Sequence, residues 1–548
     1  MSGVSRVERS IQTCLGRPPR IVKATMQTST SRGPVASLRP RSSHGPRPSP
    51  VTVLVIGWLL LGAAGSIWSF ASPLMSAPDE AAHVIKAAAV VRGQYAGGSS
   101  EVQGEALTVQ VPKYIADFSN YNCFATHPEK TPVCSPPIDG ADQSLVPAQT
   151  SAGNYNPVYY AVVGLGSLGL TGEPAIYSMR LISAWLTAFF LAAIFYAAAS
   201  MRRNHFMMIA SAISLTPTVL FLTGSVNPNA LEIGTAAAFY MGLCSMLERR
   251  PQAQLSKLPA VIVTASGILL SNTRPLSFLW IAVALAAALL GHNLTSIRAV
   301  LITRSFQLSA FLVGLSCLFA LWWSLSARSL DSLFAVTPPI PADEAALLML
   351  DRTVGYMREY VGVLGSLDTA PPMAVVYAWV LGFGSILLLS FTARPTRLRW
   401  PVALLAVAVI AIPPALQAGS SEKLGWIWQG RYALALVVML ILASGIAVRF
   451  RPFKVTPWTT SIIRWSLVLW ALAHTYLMLE GLRRYTVGVH GDHVNWSEMF
   501  VPQWQPPFSW QGLTVAYILV LSVAGVCLYR LLTTRQTQTL STRTPSES

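Results

Sequence analysis

The sequence predicts an all-α, polytopic membrane protein of about twelve transmembrane helices, with extracytoplasmic loops that bear interfacial helices. Three observations predict it. Over 548 residues only 11% are charged and 53% are hydrophobic, with mean hydropathy +0.49, whereas a soluble domain carries about 25% charged residues. Apolar runs long enough to cross a bilayer recur along the chain. The basic residues, finally, cluster in short gaps between those runs.

The runs fall at 52–71, 176–199, 206–223, 229–247, 257–271, 275–291, 305–326, 373–393, 400–417, 432–448, 460–480 and 511–530. With the N-terminus inside, the short inner connections carry thirteen Lys and Arg against one acid, Glu248. The long loop after the first run carries four basic and eight acidic residues over 72–155. Both termini are therefore expected in the cytoplasm of a cell inner (plasma) membrane protein. Residues 1–50 hold nine Lys and Arg against Glu8, with many Ser, Pro and Gly and no apolar run. They read as a disordered basic cytoplasmic tail, within which Met26 is an alternative start. The first apolar run begins near Val51 and is long enough to span, which argues against a cleaved signal peptide. Residues 51–530 form the transmembrane domain and 531–548 a second cytoplasmic tail. The net charge of +16 is spread over these gaps and the tail, so no continuous basic face for nucleic acid is expected.

Three outer segments follow from this topology: 72–175, 327–372 and 481–510. In the first, the apolar stretch from Asn156 to Leu170 is too short to span and fits a helix lying in the interface. Cys123 and Cys134 share its polar part and are expected to form a disulfide. The second contains an amphipathic helix over 342–363. The third holds Trp496, Trp504 and Trp510, suited to headgroup depth. No internal repeat of the kind found in many secondary transporters is visible.

Pro78-Asp79-Glu80 with His83 opens the first outer segment. Pro suits a first helical turn, acids there favour the positive end of the dipole, and His83 shares their face. Such a carboxylate either caps a surface helix or takes a proton or a cation at a membrane-facing cavity. His83 reads as a hydrogen-bonding partner. Arg180, Arg274, Arg431 and the pair Arg483-Arg484 lie at outer span ends, against the orientation rule. Arginine there either snorkels to headgroups or pairs with a phosphate at that depth. Ser225 to Asn229 reads as a tight outer turn with a helix cap. The sequence contains no metal-binding cysteine cluster, phosphate-cradling glycine loop or nucleophile elbow.

These segments, with Thr273-Arg274-Pro275, Leu364 to Thr369 and Gln429-Gly430-Arg431-Tyr432, together resemble the recurring blocks of the bacterial membrane family called domain of unknown function 2142, over about residues 55–530. That family is grouped with the GT-C glycosyltransferases. The resemblance therefore implies a GT-C-like fold that takes a sugar from a polyprenyl-phosphate donor and transfers it to an extracytoplasmic cell-envelope glycan or glycolipid. It implies catalysis by Asp79 and Glu80. It implies substrate binding by His83, Tyr159, Asn227, Arg274, Arg431 and Arg484, with Arg274 and Arg431 on the lipid phosphate. Some GT-C enzymes use a divalent cation, Mg or Mn, for which Asp79 would be the ligand, and others do not. Pro157, Tyr159 and Tyr160 resemble the family's amphipathic segment before the second span. The chain departs from several GT-C enzymes in lacking a large soluble C-terminal domain. A non-enzymatic transporter or flippase of lipid-linked saccharides is the alternative, although it explains an acidic motif at a loop start less well.

Overall fold

The computed structural model describes residues 48–98, 107–248, 257–329, 337–491 and 494–534. The expected tail at 1–50 lies outside the described residues up to Arg47, and the tail at 531–548 lies outside them from Arg535 on.

Local chemistry starts the first helix. The Ser49 hydroxyl accepts the Thr52 amide at 3.1 Å and Pro50 takes the first turn, so α1 runs Pro50–Ala71. It lies along the helix Gly172–Ser200, and small residues permit the close approach. A Cβ on Gly62 would meet the Trp185 ring at 2.6 Å, and one on Gly65 would meet Thr223 at 2.9 Å. Between helices in lipid, such backbone proximity supplies the dispersion contact that hydrophobicity cannot. The helices Pro228–Glu248 and Leu434–Val448 form the centre and are buried almost throughout. Peripheral helices such as Arg304–Ser326 and Trp510–Thr533 turn apolar side chains outward, as a lipid-facing surface requires.

Among the described residues, nine helices are long and apolar enough to cross a bilayer. The number is ten if His205–Ser214 and Pro217–Thr223, which meet at a 63° bend, make one broken span. Pro217 supplies no amide at that bend, and the Thr216 hydroxyl caps the new helix. Two of the twelve expected runs form shorter apolar helices. The runs 257–271 and 275–291 form helices Leu258–Ser271 and Ser277–Leu290 of 14 residues each, about 21 Å long against a hydrocarbon core of about 30 Å. Between them Thr273 donates to the Leu270 carbonyl and to Ser277, so the polar turn that carries Arg274 is satisfied inside the protein.

The loop-bearing face is less purely helical than the fold class suggests. After α2, Glu80–Val90, two strands pair antiparallel, β1 Leu107–Pro112 and β2 Leu145–Thr150, with Leu107 opposite Thr150. Their alternating burial seats one face on the segment's own core. Cys123 and Cys134 are joined in a disulfide, with Cα atoms 6.1 Å apart. Asn156 caps the helix Pro157–Val163, which buries Tyr159, Tyr160 and Val163 and leaves Leu165 and Leu168 beyond it exposed. The single amphipathic helix expected over 342–363 is two, Ala342–Arg352 and Tyr356–Val361. Thr353, Val354 and Gly355, poor helix formers in a row, separate them. The third outer segment starts later than 481, because the helix Pro457–Thr486 continues past that point.

Candidate functional site

The end of α1 delivers residues 72–79 to one guanidinium. Arg180 is fully buried and fills all its donors. Nε and Nη2 reach the two Glu80 oxygens at 2.7 and 2.6 Å, Nη1 the Ser69 and Ser72 carbonyls at 2.7 Å, and Nη2 also the Pro73 carbonyl at 2.7 Å. Glu80 further accepts the Val226 amide at 3.0 Å. Three hydrogen bonds hold this carboxylate, two on Oε1 and one on Oε2, and both side chains are 0% exposed. Glu80 is therefore an anchor without access to substrate. This corrects the catalytic role expected of it.

Anchoring Glu80 projects its neighbour outward. Asp79 takes a left-handed backbone, φ 62°, and makes no side-chain cap bond. A conformation of that kind costs about 1 kcal/mol or more for a residue with a Cβ, less for Asp than for most. The expectation that Asp79 sits within a helical first turn is corrected accordingly. Its carboxylate instead pairs with Arg431. Asp79 is both accessible and enclosed: 48% of its side chain is open, while Arg431 and Arg274 act on its charge. Enclosure alone would raise its pKa; the Arg431 charge, aided by Arg274, outweighs it and holds the carboxyl below the usual range.

Arg431 is 3% exposed. One of its Nη atoms serves Asp79, and the same atom lies 3.4 Å from the Tyr432 hydroxyl. Nε and the other Nη are buried without a partner among the described residues. The turn that carries it, Gly430–Ala433, is held from above: the Gly430 amide donates to the Glu359 carboxylate at 2.5 Å, and a Cβ at Gly430 would meet Glu359 at 2.7 Å. The Glu359 carbonyl in turn accepts the Thr218 hydroxyl at 2.9 Å.

Arg274 joins from the broken pair of short helices. It donates to Asn229 at 2.7 Å, lies 3.5 Å from Glu232 and sits over the Tyr432 ring at 4.4 Å. Arg431 approaches the same ring at 5.2 Å, so one tyrosine lies between two guanidiniums. Asn227 is structural: its amide donates to the Pro78 carbonyl at 3.0 Å and its oxygen accepts from Asn229. The turn Ser225 to Asn229 thus ties the backbone before Asp79 to Arg274.

This family signature now has its geometry, and the model of a family described as predicted membrane protein, DUF2142, matches residues 60–440. The chain belongs to the DUF2142 family. No curated protein matches it. Among solved structures, it is similar to apo ArnT from Cupriavidus metallidurans at 12% identity, over 88% of this chain and 77% of that one, with a TM-score of 0.41.

In this DUF2142 protein the remaining expected residues separate into near and far. His83 is near, but burial drives its pKa down to about 3, so it is a neutral imidazole bonded to the Tyr160 hydroxyl at 2.9 Å. Tyr159 is buried, with its hydroxyl 2.9 Å from that of Ser183. Arg484 is elsewhere: it holds Asp368 at 2.8 Å and the carbonyls of Phe124, His127 and Lys130, clamping the disulfide loop. Its expected part in substrate binding is corrected to this one. Glu359 and Tyr432 were not singled out by sequence reasoning. Tyr432 stood inside a quoted block, whereas Glu359 was one acid among several on an amphipathic stretch.

Of the carboxylates gathered here, only Asp79 is open to a divalent cation. Mg or Mn is held by oxygens, from one or two carboxylates together with water and substrate phosphate. Here Glu80 is held by Arg180, Glu232 accepts Ser277, Trp280 and Arg274, and Asp79 faces a guanidinium. Among the described residues no three His, Cys, Asp or Glu approach one another closely enough to hold a metal.

Proposed function

We propose that the protein is a membrane glycosyltransferase that moves a sugar from a polyprenyl-phosphate donor to an extracytoplasmic cell-envelope acceptor. One observation carries the reading: an accessible carboxylate, Asp79, set between Arg431 and Arg274, with two Arg431 nitrogens unpartnered. A buried guanidinium with free donors suits a phosphate, which offers several oxygens to a planar fork. In the transfer, Asp79 takes the proton from the acceptor hydroxyl as that oxygen bonds to the anomeric carbon. The bond from that carbon to the phosphate oxygen breaks, and its electron pair leaves with polyprenyl phosphate. Arg431 and Arg274 offset the charge that grows on the phosphate. Attack opposite the leaving group inverts the anomeric centre.

The alternative, a transporter, places its coupling carboxylates at mid-membrane. Glu232 is the acid of that kind here; its Oε1 accepts from Ser277 at 2.5 Å and Trp280 at 2.9 Å, and its Oε2 lies 3.5 Å from Arg274. The test is transfer by purified protein in lipid, with radiolabelled polyprenyl-phosphate sugars and envelope acceptors. A glycosidic product that disappears in Arg431→Ala supports the reading. Saccharide movement across the bilayer without any product would sink it.

A further inference from the structure

Asp79 and the empty donors meet on one side chain. Arg431 serves Asp79 through a single Nη while its Nε and other Nη face no acceptor, although the residue is 97% buried and rigidly seated by Glu359 through Gly430. Such a group is under-satisfied by one carboxylate oxygen, and a phosphate would use the fork more fully. Arg274 is differently placed, because Glu232 and Asn229 already hold it. The two cations therefore have distinct parts: one is fixed, the other is shared.

We propose that the donor phosphate and Asp79 compete for Arg431, so that binding the donor is what frees Asp79 to act as a base. This rests on the transferase reading above and adds an order of events to it. While paired, Asp79 has its Oδ2 on a guanidinium and its charge stabilised, which makes it a weak base. When phosphate takes the guanidinium, Asp79 loses that partner and gains a negative neighbour, and both changes raise its affinity for a proton. The acceptor is thereby deprotonated only beside a bound donor. Donor binds first, acceptor second.

The competition makes a prediction that a simple base at position 79 does not. Polyprenyl phosphate without a sugar is the probe, bound to the full-length protein in lipid nanodiscs. Asp79→Asn removes the competitor, tolerates the left-handed backbone and should bind the probe about tenfold more tightly, or about 1.4 kcal/mol. Arg431→Ala should weaken binding by a similar factor. Asp79→Gly, for which φ 62° carries no penalty, repeats the first arm should the Asn variant fold poorly. Unchanged or weaker binding in both Asp79 variants, with Arg431→Ala still impaired, overturns the competition and leaves the phosphate site standing. Unchanged binding in Arg431→Ala overturns the transferase reading's phosphate site itself. Inorganic phosphate is the competitor: no displacement at matched concentration ties the site to lipid-borne phosphate, and full displacement overturns the donor assignment.

Discussion

Asp79 and Glu80 are adjacent carboxylates, each paired with a buried arginine, and their environments are opposite. The Arg180–Glu80 pair is closed: neither side chain is exposed, and every donor on the arginine has an acceptor. The Arg431–Asp79 pair is open: its acid is half exposed, its backbone is left-handed, and two guanidinium nitrogens have nothing to bond. Saturation is what distinguishes an anchor from a site. A closed pair can only lose by change, since removing one partner strands a charge in low dielectric. An open pair has capacity left for a ligand.

The comparison breaks most sharply through Glu80. Glu80→Ala should destabilise the fold by about 3–5 kcal/mol, read as a large fall in the melting temperature and in the yield of monodisperse protein. If Glu80→Ala keeps a wild-type melt, the closed pair is not an anchor. Next in size is the disulfide, whose short loop is clamped by Arg484. Cys123→Ser with Cys134→Ser should cost about 2–4 kcal/mol and lower the melting temperature, while transfer by the remaining folded protein stays near normal. Loss of transfer without loss of stability would place that loop in the site instead.

Glu359 sharpens the account at the level of about tenfold in rate, because it orients the turn bearing Arg431 without touching substrate. Glu359→Gln keeps an acceptor oxygen for the Gly430 amide and should stay near wild type; Glu359→Ala should raise KM for the donor more than it lowers kcat. Equal effects of the two substitutions would exclude a positioning role.

The last of these tests concerns Lys86. It is buried, donating to the Tyr95 and Gly153 carbonyls at 2.6 Å, and burial lowers its pKa to about 7. The unfolded chain keeps that proton up to about 10.5, so above pH 7 it binds a proton the folded state has shed. Stability should therefore rise as pH climbs from about 7 towards 10, and be flat below. A Lys86→Met variant should lose this slope in melts between pH 7 and 9.5. An unchanged slope would assign the pH dependence to another group.

What could be read from sequence divides along physical lines. Apolar runs locate helices well because lipid demands twenty or so uninterrupted apolar residues: 52–71 became Pro50–Ala71, and 511–530 became Trp510–Thr533. At 257–291 the same rule located two helices, each only 14 residues long, around a polar turn bonded inside the protein. Arg274 and Arg431 are legible as charges against the orientation rule, and Asp79 as part of an acidic motif at a loop start. Their assembly is not, since Arg431 lies 352 positions from Asp79. The separation of Asp79 from Glu80 was equally invisible, because it depends on Arg180, 100 residues away. Glu359 left no sequence signal at all, since its effect passes through a backbone amide.

The most direct measurement pairs transfer rate with thermal stability for Asp79→Asn. The account predicts a loss of about 10²–10⁴ in transfer rate with a melting temperature close to wild type, because the open pair supports chemistry and the closed pair supports the fold. Near wild-type transfer by Asp79→Asn would contradict it and remove Asp79 as the base.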